Sequence, residues 1–169
     1  MSAMKTLLLP LLLGAGVSTA NASPFDFGLL RYAGLPAYGT SRARIAQQLG
    51  APTKVWRPHY ECGFFSEDEQ NKVYYELRYT HARFIGNARE GYSLKHLTLA
   101  PGVQLRYGQY QWSTATTLQE VQRLFGTSAT TGKWEHGTVL VAVGSKSDEA
   151  AHLIFRNGHL IEFELWTPC

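Results

Sequence analysis

A short segment with the pattern of a capped amphipathic helix occurs twice in this chain. Residues 40–50 read TSRARIAQQLG and residues 116–126 read TTLQEVQRLFG, at an offset of 76 positions (116 − 40 = 76). Each copy begins with hydroxyl residues that can cap a helix and ends in a glycine that can stop one. Strand-like sequence follows each copy. The repeat therefore predicts a chain built from two tandem αβ units.

Residues 1–22 have the composition of a secretory signal peptide. An apolar run from Leu7 to Leu13 precedes small residues and an Ala-Asn-Ala triplet, so we expect cleavage after Ala22. The run is much shorter than the roughly 20 residues that a transmembrane helix needs. The sequence therefore predicts a periplasmic or secreted protein without a membrane span.

Charge and aromatic content favour a protein as the partner. The formal net charge is +3, with acidic and basic residues interspersed, which favours neither nucleic acid nor an anionic membrane. Four Trp and nine Tyr exceed what a small core requires. Tyr and Trp are enriched at protein interfaces, so we expect these residues to supply a binding surface.

The two cysteines, Cys62 and Cys169, are expected to form a disulfide in an oxidising compartment. Such a bond would tie the carboxy terminus to the first half of the chain. Free or intermolecular thiols are the alternatives. A catalytic role for Cys62 is not expected, since a three-residue spacing places His59 on the opposite face of a strand.

The first unit is predicted to span residues 23–101. We expect a short helix from Phe25 to Tyr32, then the capped helix, and then four strands at residues 53–57, 59–65, 73–80 and 92–99. The polar tract 66–72 is predicted to form a hairpin loop. In the third strand, alternation predicts one inward and one solvent-facing set: Val73, Tyr75, Leu77 and Tyr79 inward, and Tyr74, Glu76, Arg78 and Thr80 outward.

The second unit is predicted to span residues 102–169 with the same order of elements. Thr117 and Glu120 have the spacing of a capping box, and Asn157-Gly158 is a strong signal for a two-residue hairpin. Strands are predicted at residues 133–136, 139–144, 150–156 and 159–166. The same offset of 76 aligns Leu77 with Leu153 and Tyr79 with Phe155. The predicted fold class is α+β, with two tandem units that each pack a short helix pair on a four-stranded antiparallel sheet.

Two motifs carry a resemblance to a known family. They are the helix-Gly motif, at residues 44–50 and 119–126, and the closing hairpin, in which Ala151, His152, Leu153, Phe155, Gly158 and Leu160 match an A-H-L-x-F-x-x-G-x-L pattern. Together with the duplication, these motifs resemble the beta-lactamase inhibitor protein family, whose members are exported and non-catalytic. One unit alone is also similar to the SmpA-type outer-membrane assembly lipoproteins.

The resemblance implies a binding surface made by both sheets and by a first-unit hairpin. Tyr74 and Tyr75 match the paired Tyr of the family's hairpin, whereas Val73 stands where the family has an acidic residue. The two disulfides within the units of that family are absent from this sequence. The scaffold is therefore the better supported part of the resemblance, and beta-lactamase is one candidate partner.

The candidate partner-binding residues are aromatic and charged side chains expected on the free sheet faces and on the acidic loop. Aromatic anchors in such a face would supply affinity, and loop carboxylates would increase the association rate. The alternatives are side chains that pack on one another and an acidic loop that is simply solvated. The predicted set is Tyr74, Tyr75, Glu76, Arg78, Glu67, Asp68, His152, Arg156 and Trp166.

No catalytic or metal-binding pattern is found in the sequence. The six His are scattered without ligand spacing, and neither a nucleophile elbow nor a Gly-rich phosphate loop follows a strand. Glu162 and Glu164 are interpreted as solvated strand residues. We therefore expect a non-enzymatic protein with no cofactor and no metal.

Three functions are compatible with these features. The first is an inhibitor or immunity-type protein that occludes an envelope enzyme, such as a beta-lactamase or a cell-wall hydrolase. The second is a structural or assembly adaptor of the outer envelope, although no lipid-attachment cysteine is present near residue 22. The third, an enzyme or ligand carrier, would require a deep pocket with convergent polar groups.

Overall fold

The computed structural model describes residues 23–135, 137–146 and 148–169, and the predicted signal peptide lies outside these ranges. The helices in the described part are α1 (Arg42–Leu49), α2 (Glu67–Gln70) and α3 (Leu118–Phe125), with 3-10 turns at Phe27–Leu29 and Gly126–Ser128. The strands are β1 (Leu30–Tyr32), β2 (Leu35–Pro36), β3 (Lys54–Trp56), β4 (Tyr75–Arg78), β5 (Ala82–Asn87), β6 (Gly91–Thr98), β7 (Leu105–Tyr107), β8 (Tyr110–Trp112), β9 (Ala129–Trp134), β10 (Gly137–Val143), β11 (Ala150–Arg156) and β12 (His159–Trp166).

Two antiparallel sheets organise the fold, which is α+β as predicted. The larger sheet has eight strands in the order β3-β4-β5-β6-β12-β11-β10-β9, and the smaller has four in the order β2-β1-β7-β8. The prediction of a separate four-stranded sheet in each half is wrong, because β6 and β12 pair edge to edge and join the eight strands. This pairing removes two exposed sheet edges that would otherwise need protection.

The strand pairing relates the two halves by an approximate twofold axis. Arg31 of β1 lies opposite Arg106 of β7, which occupies the matching place in the second Leu-Arg-Tyr tripeptide. In the larger sheet, Leu97 of β6 lies opposite Phe163 of β12. β6 and β12 each contain one extra residue at the equivalent position. Lys95 is the extra residue where the register of β6 with β5 shifts, and Ile161 is the extra residue where the register of β12 with β11 shifts. Each half thus has a hairpin, a helix and four consecutive strands.

The capped helices and the closing hairpin agree with the sequence prediction. The Ser41 hydroxyl caps α1 and the Thr117 hydroxyl caps α3, where Glu120 completes a capping box. Gly50 has φ +81°, the positive value expected of a glycine stop. Asn157 and Gly158 both have positive φ, as the two-residue turn between β11 and β12 requires.

One continuous core lies between the inner face of the larger sheet and the layer of helices and smaller sheet. Phe84, Phe155 and Phe163 come from the larger sheet and are fully buried. From the other layer, Phe125 of α3 contacts Phe25 and Tyr107, with ring centroids 5.5 and 5.4 Å apart respectively. Burial of large apolar side chains supplies most of the stabilisation of such a core.

Four local predictions are wrong. Residues 25–32 form a 3-10 turn and strand β1, so neither half contains the expected helix pair. Residues 59–65 form no strand, and residues 67–70 of the expected loop form the short helix α2. The segment after β4, where no strand is predicted, contains β5. The offset of 76 also fails in the sheet, because Leu77 lies in β4, the second of the four strands after α1, and Leu153 lies in β11, the third of the four strands after α3.

Replacing Thr117 with alanine is expected to lower the free energy of unfolding by about 1 kcal/mol. The Thr117 hydroxyl accepts a hydrogen bond from the Glu120 backbone N–H, and the Glu120 carboxylate accepts one from the Thr117 backbone N–H. Urea unfolding monitored by circular dichroism measures the change. The exposed Thr127, one residue beyond the helix stop, provides the control variant Thr127→Ala, and equal losses in the two variants would argue against a capping role.

Candidate protein-binding face

The outer face of the larger sheet points away from the core and combines tryptophans with charged side chains. Strand alternation and the observed register define this outer face, and its residues include Lys54, Trp56, Glu76, Arg78, Arg83, Ile85, Lys95, His96, Thr98, Thr130, Trp134, Val139, Val141, Val143, Ala150, His152, Ile154, Arg156, Glu162, Glu164 and Trp166. Eight strands spaced by about 4.8 Å give a face about 34 Å across. An interface of ordinary size buries about 800 Å² on each partner, which is less than the full face provides, although residues 57–74 cover part of it in the first half.

Trp56 marks one end of the outer face, on the edge strand β3. Its indole is 44% exposed, with the Lys54 Nζ atom 4.6 Å and the Arg78 guanidinium carbon 5.5 Å from the ring centroid. These cation–π contacts hold the ring in one orientation. Arg78 is fixed in turn by the buried Glu76 carboxylate, which accepts a hydrogen bond from its Nε atom. Neighbouring side chains on the same face therefore orient the ring.

A charged band crosses the centre of the outer face, where the two halves meet. Lys95 donates a hydrogen bond from Nζ to the Leu165 carbonyl at 2.6 Å, and burial lowers the pKa of Lys95 while the Glu164 carboxylate opposes that shift. The His96 Nε2 atom lies 3.5 Å from a Glu162 carboxylate oxygen. Burial, and next the Arg83 guanidinium, lower the pKa of His96, which favours its neutral form. The band therefore sets the positive charge of Lys95 on β6 beside the negative charges of Glu162 and Glu164 on β12.

An aromatic cluster of Trp134, His152 and Trp166 marks the other end. The His152 ring stacks on Trp166 at 6.0 Å between centroids and meets Trp134 edge-on at 5.8 Å. Both tryptophans stay half-exposed, at 40% and 42%. Among the buried side-chain polar atoms of the described residues, His152 Nδ1 is the one that has no hydrogen-bond partner. Burial lowers the pKa of His152, against the effect of Glu164 and with that of Lys95.

Acidification is expected to destabilise the protein, in part through His152. Its folded-state pKa lies below the ordinary histidine value of 6.5, so between these two values the unfolded chain binds more protons. The contribution of neutral His152 to the free energy of unfolding is complete above pH about 6.5. It is lost as the pH falls towards the folded-state pKa. Urea unfolding at a series of pH values should show a smaller acid loss in His152→Gln than in the wild type. The exposed His59→Gln variant is the control, and identical pH profiles for all three proteins would refute this role of His152.

Residues 57–74, which we name the crossover segment, cover part of the outer face in the first half. Glu76 and Ile85 point to the outer face by register, yet they are 2% and 0% exposed. Burial, and next the nearby Glu76 carboxylate, raise the pKa of Tyr60 in this segment, and within the segment Phe65 packs edge-on against Tyr74 at 5.5 Å. The disulfide between Cys62 and Cys169 attaches the segment to the carboxy terminus. The crossover segment therefore buries side chains that strand alternation alone would expose.

The predicted site residues lie in three environments, which are the open part of the outer face, the part buried by the crossover segment, and the edge of the larger sheet. Trp166, His152 and Arg156 lie on the outer face, and Arg78 lies there beside Trp56. Tyr74 and Glu76 were expected in solvent, but both are buried: Tyr74 is the last residue of the crossover segment and packs against Phe65, and Glu76 lies under that segment. Burial and the Glu90 carboxylate raise the pKa of Tyr74 to about 12. The predicted disulfide between Cys62 and Cys169 is confirmed.

The remaining predicted residues lie near the edge of the larger sheet. Tyr75 has the inward parity of Leu77 but is 40% exposed. Glu67 and Asp68 are in α2, and the Glu67 carboxylate accepts hydrogen bonds from the Arg57 guanidinium at 2.5 and 2.7 Å. This bidentate contact lowers the pKa of Glu67. Glu67 is therefore already paired, and Asp68 is the more available of the two carboxylates.

Several residues of the outer face were not among the predicted ones. Trp56 and Trp134 lie at its two ends, and Lys54, Lys95 and His96 contribute charge or polarity between them. Alternation within the predicted strands 53–57 and 133–136 could have identified the two tryptophans. Lys95 is different, because the irregular register of β6 places it on the outer face beside His96.

The described residues contain neither a metal-binding cluster nor a membrane-spanning helix. No group of three or more His, Cys, Asp or Glu side chains in this part of the chain could hold a metal ion. No helix there has the length and apolar character needed to cross a membrane. Comparisons of the chain with protein-family models, with curated proteins and with solved structures found no match.

Proposed function

We propose that this protein is an exported, non-catalytic binding module of the inhibitor or immunity type. Its outer face would occlude an envelope enzyme, such as a beta-lactamase or a cell-wall hydrolase. The observation that carries the proposal is the placement of Trp56, Trp134 and Trp166, each at least 40% exposed, on one face of a single rigid sheet. Half-exposed tryptophans held by neighbouring side chains are typical anchors of protein interfaces.

The arrangement of the outer face suits tight protein binding. A sheet loses little conformational freedom on association, so less of the interaction energy is lost to ordering. The tryptophans at the two ends would supply affinity. The charged band between them would select among partners and steer their approach, because complementary charge contributes more to specificity and association rate than to affinity.

The crossover segment would present the acidic helix α2 beside this face. Asp68 lies in the first turn of α2, next to the Glu67 carboxylate that pairs with Arg57. A carboxylate at this position would attract a cationic active-site cleft as the tryptophans dock. Glu67, Asp68 and Tyr75 would therefore contact the rim of the partner rather than the centre of the interface.

Export and internal duplication belong to the same proposal. The Cys62–Cys169 disulfide is compatible with an oxidising compartment, where such bonds persist. The approximate twofold pairing of β1 with β7 and of β6 with β12 supports the inference that residues 23–101 and 102–169 are two copies of one unit. Fusion of the two copies would make one face that is wider than either half provides.

Affinity capture from an envelope extract tests the proposal. The tag should precede residue 23, because the carboxy-terminal Cys169 is held in the disulfide. We expect recovery of an enzyme whose activity falls when the purified protein is added. The control bait carries Trp56→Ala and Trp166→Ala. Recovery of outer-membrane assembly components in place of an enzyme, or no inhibition across a panel of beta-lactamases and cell-wall hydrolases, would overturn the inhibitor function.

A further inference from the structure

The smaller sheet has its own outward surface, on the side of the molecule opposite the outer face. Leu30, Leu105 and Tyr107 point from β1 and β7 into the core, so the alternate residues Arg31 and Arg106 point away from it. These two arginines lie directly opposite each other on neighbouring antiparallel strands. The approximate twofold axis passes between them, and two like charges meet there.

A directly opposed pair of like charges on neighbouring strands is unfavourable by itself. Among the described residues, no carboxylate forms an ion pair with either arginine. Arg31 instead donates from Nη1 to the Gly28 and Leu30 carbonyls at 2.7 and 2.8 Å, and Arg106 donates from Nε to the Gly108 carbonyl at 2.8 Å. Each guanidinium is therefore oriented while part of its donor fork stays unused.

Both arginines line one recess of about 450 Å³. Its wall includes the Gln104 and Gln111 side chains, which hydrogen-bond to each other, and the neighbouring residues Tyr32 and Val103. Gln111 lies opposite Arg106 in the register of β7 with β8. The recess thus combines two oriented cations, two amide side chains and an apolar rim.

We propose that this recess binds a small oxyanion of the phosphate class. Two guanidinium groups supply two positive charges, which match the charge of a phosphate dianion, and the planar fork of arginine matches the spacing of its oxygens. The bound anion would relieve the repulsion between Arg31 and Arg106. The site is separate from the outer face, so it does not depend on the function proposed above.

Calorimetric titration of the full-length protein with inorganic phosphate at low ionic strength tests this site. We expect saturable binding with a Kd below about 1 mM. Arg31→Gln and Arg106→Gln should each weaken binding at least about tenfold, because each removes a charge-assisted bidentate contact. Arg89→Gln, in the exposed turn before β6, is the matched control and should leave the Kd within about twofold of the wild type.

Melting temperature provides a second readout that a purely structural role would not reproduce. Phosphate should raise the melting temperature of the wild type and of Arg89→Gln, but not that of the Arg31→Gln/Arg106→Gln double variant. Flotation with phosphatidylglycerol vesicles identifies the source of the phosphate. Flotation that requires both arginines assigns a lipid headgroup, and phosphate binding without flotation assigns a soluble ligand. Absence of saturable phosphate binding, or equal binding by the double variant, would overturn the proposal.

Discussion

Replacing Cys62 and Cys169 together with serine is expected to lower the free energy of unfolding by about 4 kcal/mol and the melting temperature by roughly 10 °C. The disulfide joins positions 107 residues apart, so its loss frees a long loop in the unfolded chain. It also releases the crossover segment, which buries Glu76 and Ile85. Thermal unfolding followed by circular dichroism measures the effect, and limited proteolysis should show new cleavage within residues 57–74.

The double serine variant is preferable to either single one, because a lone thiol could form intermolecular bonds. Wild-type protein treated with a reductant is the matched control and should show the same loss of stability. A melting temperature within about 3 °C of the oxidised wild type would mean that packing, rather than the disulfide, holds the crossover segment.

Replacing Trp56 and Trp166 together with alanine is expected to weaken partner binding by about a thousandfold. An anchor tryptophan typically contributes 2 kcal/mol or more, about thirtyfold in affinity. The two side chains lie on strands four positions apart in the sheet, about 19 Å, so their effects should add. Surface plasmon resonance with the captured partner measures the loss, and most of it should appear in the dissociation rate.

Tyr110→Ala provides the matched control for the tryptophan pair. Tyr110 is 42% exposed, the same value as Trp166, but it belongs to the smaller sheet on the opposite side of the molecule. Its replacement should leave the affinity for the partner within about twofold of the wild-type value. Equal losses from Tyr110→Ala and from the tryptophan pair would place the interface elsewhere.

Local elements could be predicted because their signals lie within a few residues of one another. Thr117 with Glu120 and Asn157 with Gly158 act over three residues or fewer, and all four adopt the predicted roles. The helix predicted from Phe25 to Tyr32 does not form, because long-range strand pairing outweighs the local helical pattern. Tyr32 pairs with Leu105 of β7, far along the chain, and β1 becomes a strand in this context.

The joining of the two halves depends on contacts that a linear pattern does not specify. Leu97 and Phe163 meet at the centre of the larger sheet, and strand periodicity predicts the faces of β6 and β12 without naming their neighbours. Loops of unequal length between equivalent strands also mean that equivalent strand residues are not 76 positions apart. The first half inserts the crossover segment between β3 and β4, whereas a tight connection joins β9 to β10.

The candidate site was predictable where no other segment covers the sheet. Alternation placed His152, Arg156 and Trp166 on the outer face, and the structure agrees. The same rule gives Tyr74 the solvent-facing side, but its ring is covered by Phe65, so the predicted exposure is wrong. An irregular segment that folds back over a strand has no periodic signal, so its effect on burial appears only in three dimensions.

Hydroxyl-radical footprinting of the free protein and of its complex with the captured partner tests the central claim most directly. The measurement compares the oxidation of Trp56, Trp134 and Trp166 with that of Tyr110, all of which are at least 40% exposed in the free protein. If the outer face binds the partner, the three tryptophans become protected in the complex and Tyr110 stays reactive. Protection of Tyr110 with unchanged oxidation of the tryptophans would contradict the account.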